Sequence, residues 1–196
     1  MKNLKFVRSR FGKFIVGLFV VLAIYLIFFK GKIHFKEEIK LSSGEVIIVD
    51  RKFITTPLGE IGGPGGWDAK YNSFEIVSPV RPGNPPIWES RDGLIPVLFD
   101  RDPKTNEWFL VTSFFMCSAW ESIGKPKHPY AEFRVKDGTW EQVPLSLNLI
   151  GRATNVYVHM RNTGELWLVH LELKALKHDE ASPEYKNIID DWVGCS

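Results

Sequence analysis

The chain is 196 residues long and carries 25 Lys and Arg residues against 23 Asp and Glu, for a formal net charge of +2. Five of the basic residues precede residue 14, so residues 14–196 have 20 basic against 23 acidic side chains, a charge of −3. Because neutralisation of phosphates by Lys and Arg supplies most of the affinity for nucleic acid, this balance argues against a nucleic-acid partner. The presence of only two cysteines excludes a zinc site built from four.

The first predicted element is an uncharged run of sixteen residues, 14–29, thirteen of which are Leu, Ile, Val or Phe. At the centre of a membrane helix each of these contributes roughly −0.3 to −0.6 kcal/mol, so their sum of about −4 to −8 kcal/mol favours insertion. As a helix the run would be about 24 Å long, slightly short of the bilayer core, and the flanking Lys13 and Lys30 can extend their charges to the interface. The run predicts a single transmembrane anchor in the lipid bilayer, followed by a juxtamembrane segment at 30–36.

Two other interpretations of this run are a cleaved signal peptide and a buried core helix. The small residues of a cleavage site do not follow it, and it lacks the polar stripe of an amphipathic core helix. Residues 1–13 contain five positive charges and no acid, whereas residues 30–40 contain four Lys. This excess predicts a cytoplasmic leader at 1–13 in a single-pass protein of the bacterial inner membrane. The domain at 37–196 would then be periplasmic or otherwise extracytoplasmic.

Most of residues 37–196 has the alternating or β-branched pattern of strands, interrupted by turn-forming sequences. Four pairs of such runs predict hairpins: 39–41 with 46–49, 95–99 with 108–115, 130–135 with 139–143, and 155–160 with 165–173. In the third pair the turn contains Asp137-Gly138, a strong hairpin signal. Residues 71–77 predict a further strand. The pattern therefore predicts a mostly-β domain, a hairpin meander that forms a small sandwich or barrel.

Two segments have helical patterns. Residues 118–123 predict a short helix that ends at Gly124. Near the C-terminus, Ser182 is a suitable N-cap and Pro183 a suitable first helical residue. The helix predicted there has one apolar face and a glycine stop, which favour docking on the sheet: Tyr185, Ile188, Ile189 and Trp192, then Gly194.

The loops are rich in Gly, Pro and aromatic residues. Residues 59–67 include five Gly and one Pro, but they lack the Gly-Lys-Ser/Thr sequence and the following helix of a phosphate-binding loop. Three aromatic residues beside the loops are candidates for an exposed surface that stacks on sugars or packs on a protein: Trp67, Tyr71 and Trp88. Ordinary core packing is the other interpretation.

The cysteines and histidines give few indications of catalysis or metal binding. Cys117 and Cys195 can form one disulfide, which would stabilise by roughly 4 kcal/mol in the chain-entropy model by closing a loop of about 78 residues. They can also remain free thiols, with Cys117 a nucleophile beside His128. The histidines do not match the spacing of a known metal motif, so we predict neither a metal site nor a cofactor: His34, His128, His159, His170 and His178.

Four stretches of the sequence, 38–49, 88–89, 94–100 and 124–133, resemble a set of uncharacterised bacterial membrane-anchored proteins with no assigned function. The resemblance covers most of residues 37–145. It implies a bacterial origin and one continuous domain, and it supplies no catalytic residue.

Together these patterns predict a membrane-tethered, noncatalytic β-rich envelope domain that binds a protein or glycan partner. The alternative is a membrane-anchored envelope hydrolase with a dispersed active site, which needs a pocket joining Cys117, His128 or His159 to an acid. A third class is a subunit whose anchor pairs in the membrane, although Gly17 and Ala23 lack the usual spacing of small residues.

Overall fold

The computed structural model describes residues 31–58, 66–114, 116–158, 167–178, 180–190 and 195. Residues 32–196 form one compact unit. The predicted leader and anchor, 1–13 and 14–29, lie outside the described residues. Within the described ranges, no helix has the length and apolar character needed to cross a membrane.

The first sheet has five strands and begins where the juxtamembrane segment was predicted. Its strands are β1 (Gly31–Lys40), β2 (Val46–Leu58), β3 (Gly66–Ser78), β4 (Trp88–Ser90) and β9 (Leu168–Val169), in the spatial order β4-β3-β2-β1-β9. The predicted hairpin at 39–49 is confirmed, and its second strand continues through 53–56, a continuation that the sequence allowed. Gly44, which has a φ of +88°, allows the turn between β1 and β2.

The second sheet has four antiparallel strands in chain order. They are β5 (Leu94–Arg101), β6 (Trp108–Phe114), β7 (Ala131–Lys136) and β8 (Thr139–Val143). The hairpins predicted at 95–115 and 130–143 are therefore confirmed. Asp137 and Gly138 have φ values of 50° and 77°, as a type I′ turn requires.

The two sheets share a hydrophobic core, which confirms the mostly-β prediction. Every residue of β6, and all but the last of β5, is buried, because both faces of these strands are covered. On one face Phe99 stacks on Trp108 with ring centroids 5.1 Å apart and contacts Phe74 of β3 at 4.8 Å. On the other face, Ile95, Val97 and Leu98 pack against the C-terminal part of the chain. Each of these buried side chains stabilises the fold by about 1.5–3 kcal/mol.

The short helix after β6 is confirmed as α1 (Cys117–Ser122). Gly124 has a φ of +89° and donates its N–H to the carbonyl of Glu121 at 3.1 Å, while Lys125 donates to Trp120 at 3.0 Å. A glycine in this left-handed conformation satisfies the last carbonyls of a helix and ends it.

The hairpin predicted from 155–160 and 165–173 is wrong, because residues 155–158 belong to no strand and the second run forms only a short one. Strand β9 is two residues long and pairs in parallel with β1, matching Leu168 to Lys36 and Val169 to Glu37. A helix, α2 (Leu171–His178), begins where the strand was predicted to continue. The Glu38 carboxylate accepts a hydrogen bond from the N–H of Leu171 at 3.1 Å, so a distant residue satisfies the start of the helix. Residues 159–166, the predicted turn and its flanks, lie outside the described residues.

The C-terminal helix is much shorter than predicted. Helix α3 (Pro183–Lys186) has Ser182 at its N-cap and Pro183 at its start, as expected, but it ends after one turn. Ile188 instead exchanges backbone hydrogen bonds with Arg152 and Gly151 at 2.9 and 2.7 Å, which holds the following segment extended. The predicted docking is retained, because Tyr185, Ile188 and Ile189 pack on the second sheet. Trp192 and Gly194 lie outside the described residues.

Candidate functional site

Of the three aromatic residues expected at an exposed surface, the structure describes the side chains of Trp88 and Tyr71. Trp88 is 2% exposed, and its ring packs edge-on against Phe133 at 5.5 Å, so the expectation of exposure is wrong for this residue. The pairing of β4 with β3 turns the indole into the core. Tyr71 is half-buried and donates its hydroxyl to Glu89 at 2.7 Å. Trp67 pairs with Pro57 in the β2–β3 hairpin, and its side chain lies outside the described residues.

Cys117 and Cys195 form a disulfide with their Cα atoms 5.5 Å apart. The bond joins the start of α1 to the C-terminal end of the chain, 78 residues away. Because the sulfur of Cys117 is bonded to that of Cys195, no thiolate is available, and the hypothesis of a Cys117 nucleophile beside His128 is wrong.

A cavity of about 480 Å³ lies where β7 begins and β8 ends, and we call it the His128 pocket. Five apolar residues form most of its wall: Pro126, Ala131, Val143, Pro144 and Leu145. Four residues with polar groups complete its lining: Lys127, His128, Tyr130 and Gln142. The mixture of apolar walls with a few polar groups is typical of a site that binds a ligand or a side chain.

His128 is held in one tautomer by the segment that follows α3. Its Nδ1 lies 3.1 Å from the main-chain carbonyl oxygen of Asp190 and 3.3 Å from the carboxylate Oδ1 of the same residue. Both oxygens accept hydrogen bonds, so Nδ1 carries the proton and Nε2 is an acceptor in the neutral ring. Within the described ranges, no residue donates to Nε2. The residue is 9% exposed, and Nε2 is not among the fully buried unpaired polar atoms, so a group in the pocket can reach it.

Tyr130 fixes the wall of the pocket rather than offering a group to a ligand. Its hydroxyl is shared between the carbonyls of Glu184 and Asn187 at 2.9 and 3.0 Å and accepts the N–H of Ile189 at 3.2 Å. Burial, partly opposed by the hydrogen bond from Ile189, raises the pKa of Tyr130 to about 12. The phenol therefore stays neutral and ties the C-terminal segment to the start of β7.

The described lining of the His128 pocket contains no Ser, Thr or Cys side chain that could serve as a nucleophile. The pair of His128 and Asp190 resembles the base and orienting acid of a hydrolase, but the group that they would activate is missing from this lining. The arrangement can accept a hydrogen bond from a bound group whose remaining surface is apolar.

A buried charge cluster of Glu37, Arg51 and Lys174 lies apart from this pocket. The Glu37 carboxylate is 0% exposed and accepts bonds from Arg51, Lys174 and the N–H of Tyr157, each at 2.8 Å. Arg51 is also 0% exposed and lies over the ring of Phe53, with its guanidinium carbon 4.8 Å from the ring centroid. These contacts join β1, β2 and α2, so the cluster fixes the first sheet to the helix.

Lys174 lines a second cavity, of about 200 Å³, together with Tyr157 and Tyr185. Burial lowers the pKa of Lys174, while the charge of Glu37 opposes this change. Its ammonium donates to the Glu37 carboxylate and the Glu38 carbonyl, both at 2.8 Å, and to the carbonyl of Asn155. With three acceptors for three protons the ammonium is fully satisfied, so Lys174 has a structural role rather than that of a nucleophile.

Glu38, His170 and Glu172 bring one ligand atom each within 4.8 Å of one another. The His170 Nδ1 is 3.2 Å from Glu38, and His170 is 55% exposed. The partly exposed contact between His170 and Glu38 at the start of α2 accounts for this grouping, and we assign no metal to it. Of the other histidines, His34 bonds to Asp50 at 2.6 Å, whereas His159 and the side chain of His178 lie outside the described residues.

Sequence reasoning singled out His128 but missed its partner Asp190 and the whole charge cluster. The expected C-terminal helix placed Asp190 on a helix rather than against His128. The sequence carries no local signal for the His128–Asp190 pair or for the charge cluster. His128 and Asp190 are 62 residues apart, and Glu37 and Lys174 are 137 residues apart.

No protein-family model, curated protein or solved structure matches this chain. The resemblance to bacterial membrane-anchored proteins therefore stays a prediction.

Proposed function

We propose that this chain is a noncatalytic binding domain of the bacterial envelope, tethered to the inner membrane by residues 14–29, and that a protein partner enters its His128 pocket. The observation that carries the proposal is a cavity of about 480 Å³ with apolar walls and a tautomer-fixed histidine acceptor, whose described lining offers no nucleophile. A lining of this kind suits the binding of a group rather than covalent catalysis by a side chain.

The composition of the pocket favours a protein over a glycan as the partner. Glycan sites commonly present an aromatic face to the sugar ring together with several free hydrogen-bonding groups. Trp88 is buried in the core, and the hydroxyl of Tyr130 is already used by the C-terminal segment. Walls of Pro, Ala, Val and Leu with a histidine acceptor suit an apolar side chain that carries one donor.

Selection of peptides on the purified full chain in detergent tests this proposal. A phage-displayed library of random dodecapeptides is the probe, and peptidoglycan fragments are offered in parallel. Pro144 lines the pocket and is exposed, so Pro144→Trp should obstruct the opening without disturbing the core. We expect peptides retained by the wild type to lose binding at least about tenfold in Pro144→Trp, as expected when the centre of an interface is blocked.

Val80→Trp is the matched control, because Val80 is 81% exposed and does not line the pocket. It adds the same apolar indole to the surface outside the pocket and should leave peptide binding unchanged. Retention of no peptide, or equal retention by both variants and the wild type, would contradict the proposal. Retention of peptidoglycan fragments alone would favour a glycan partner instead.

A second candidate, the envelope hydrolase, has one observation in its favour, the pairing of His128 with Asp190. In that case His128 would act as a general base on water, since the described lining lacks a side-chain nucleophile. Mass spectrometry of the retained peptides distinguishes the two functions. Intact peptides support binding, whereas cleavage that is lost in His128→Ala would support the hydrolase.

A further inference from the structure

The two edges of the second sheet differ in whether they are covered. At the β5 edge, the N–H groups of Asn155 and Val156 both donate to the carbonyl of Val97, at 3.2 and 3.1 Å. The Asn155 side chain also bonds to the N–H and the carbonyl of Phe99, each at 2.9 Å. At the opposite edge, β8 pairs with β7, and no other described strand or loop bonds to its backbone.

The turn before β8 determines which backbone groups are free. In a two-residue type I′ hairpin the flanking residues, here Lys136 and Thr139, form a hydrogen-bonded pair. Bonded and non-bonded pairs alternate along an antiparallel ladder. Trp140 and Gln142 therefore lie in non-bonded pairs, and the N–H and carbonyl groups of both point away from β7. These four groups form an open row of alternating donors and acceptors.

The side chains of the same two residues brace this edge. The Trp140 indole donates to the carbonyl of Pro86 at 2.8 Å, and the Gln142 amide donates to that of Ile123 at 3.4 Å. The edge strand is thus held from two neighbouring segments before any partner arrives. Because less freedom is lost on binding, a fixed edge binds a strand more tightly than a mobile one.

We propose that the partner binds as an extended peptide that adds a strand to β8 and places an apolar side chain in the His128 pocket. The inference rests on the proposed function and specifies its partner. Only another polypeptide in extended conformation supplies acceptors and donors at the spacing of the free groups of Trp140 and Gln142. The pocket lies at the end of the same edge, because Gln142 and Val143 belong both to β8 and to its lining.

A second copy of this chain fits the edge less well than a separate peptide. Two β8 strands paired antiparallel would place the start of one strand against the end of the other. The residues that would then face the pocket are Asp137, Gly138 and Thr139, which are exposed and polar. They offer no apolar side chain for walls made of Pro, Ala, Val and Leu.

The decisive experiment removes one outward N–H from the edge. Gln142→Pro deletes that donor and leaves the hydrogen bonds to β7 intact, since proline is tolerated on the solvent side of an edge strand. Gln142→Ala is the matched control, because it removes the same side chain and keeps the N–H. Both variants lose the Gln142 side chain from the pocket and from its bond to Ile123, so the comparison between them isolates the N–H. With peptides selected on the wild-type full chain, we expect Gln142→Pro to bind at least about fivefold more weakly than Gln142→Ala.

A second measurement needs no change in the protein. The selected peptides are resynthesised with N-methyl groups at alternate residues, in the two possible phases, and their affinities for the wild type are measured. We expect one phase to abolish binding and the other to preserve it, because a strand uses every second N–H for one neighbour.

The outcomes separate the two proposals. If Pro144→Trp blocks binding but neither Gln142→Pro nor N-methylation in either phase weakens it, strand addition is overturned and the pocket function stands. If no peptide is retained at all, the proposed function itself fails. Wild-type dimers that separate in Gln142→Pro would show that a second copy occupies the edge, and would also overturn the inference.

Discussion

Glu37 connects two basic residues of the interior, Arg51 and Lys174. Its carboxylate is fully buried and compensates the charges of Arg51 and Lys174. Glu37→Gln keeps the shape of the side chain but leaves two buried cations without a counter-ion. Because breaking a buried pair leaves an uncompensated charge, we expect the free energy of unfolding to fall by about 3–5 kcal/mol. Urea denaturation followed by tryptophan fluorescence measures this change.

Glu45→Gln is the control for this substitution. Glu45 pairs with Arg81 at the surface, where their side chains are 33% and 43% exposed. Water screens such a pair, so the same chemical change should alter stability by less than about 1 kcal/mol. Equal losses in the two variants would show that the interior cluster contributes no more than a surface pair.

The sequence does not reveal the role of Glu37. Glu37 and Glu38 are adjacent acids in an alternating stretch, a pattern typical of a solvated face. Their environments differ because successive residues of β1 point to opposite sides, and only Glu37 points towards Arg51 and Lys174. His128 could be singled out as a titratable residue, but its pocket is formed by segments that meet only in the folded chain.

At the scale of elements, the hydroxyl of Tyr130 joins β7 to the segment that follows α3. Tyr130→Phe leaves the carbonyls of Glu184 and Asn187 and the N–H of Ile189 without this partner. We expect a loss of about 1–3 kcal/mol, the usual effect of orphaned buried polar groups. Amide hydrogen exchange should accelerate most in residues 187–190, because this segment loses its hydrogen bonds to the Tyr130 hydroxyl. The core strands keep their hydrogen bonds.

The pH dependence of the stability difference between wild type and Tyr130→Phe independently checks the role of the Tyr130 hydroxyl. The folded-state pKa of Tyr130 is raised from 10.0 to about 12. The stability that the neutral hydroxyl contributes to the fold is therefore fully present below pH 10. It is lost as the pH rises through about 12. The stability of wild type relative to Tyr130→Phe should therefore be constant below pH 10 and fall above it. Tyr71→Phe, which removes a half-buried phenol bonded to Glu89, should leave exchange in residues 187–190 unchanged.

Elements with local signals could be predicted, and those without them could not. The hairpin around Asp137-Gly138 was predictable because two adjacent residues determine the turn. Strand β9 was not, since its two residues are ordered by pairing with β1, about 130 positions earlier in the chain. Helix α3 began as expected, but Asn187 pairs with Ala153, and that tertiary contact ends the helix.

At the scale of the whole molecule, the pattern of apolar runs and turn residues was sufficient for the mostly-β class but not for the order of the strands. The sequential hairpins of the second sheet account for its order β5-β6-β7-β8. In the first sheet, the parallel pairing of β1 with β9 brings the start of the domain beside a segment near its end. The Cys117–Cys195 disulfide adds a second such connection, from α1 to the C-terminus. Both depend on contacts between segments far apart in sequence, which local patterns do not encode.

The disulfide also gives a direct test of where the domain lies in the cell. A disulfide between residues 78 positions apart persists in an oxidising compartment, whereas the reducing cytoplasm keeps such thiols free.

If residues 14–29 span the inner membrane with the N-terminus inside, both cysteines of the full chain should resist a thiol-reactive polyethylene glycol maleimide in acid-quenched cells. Both should react after reduction, with a loss of about 4 kcal/mol of stability in the chain-entropy model. Cys195→Ser leaves one thiol that reacts without reduction and calibrates the gel shift. Reaction of both wild-type cysteines without reduction would place the domain in the cytoplasm and contradict the topology predicted from the charges on either side of the run.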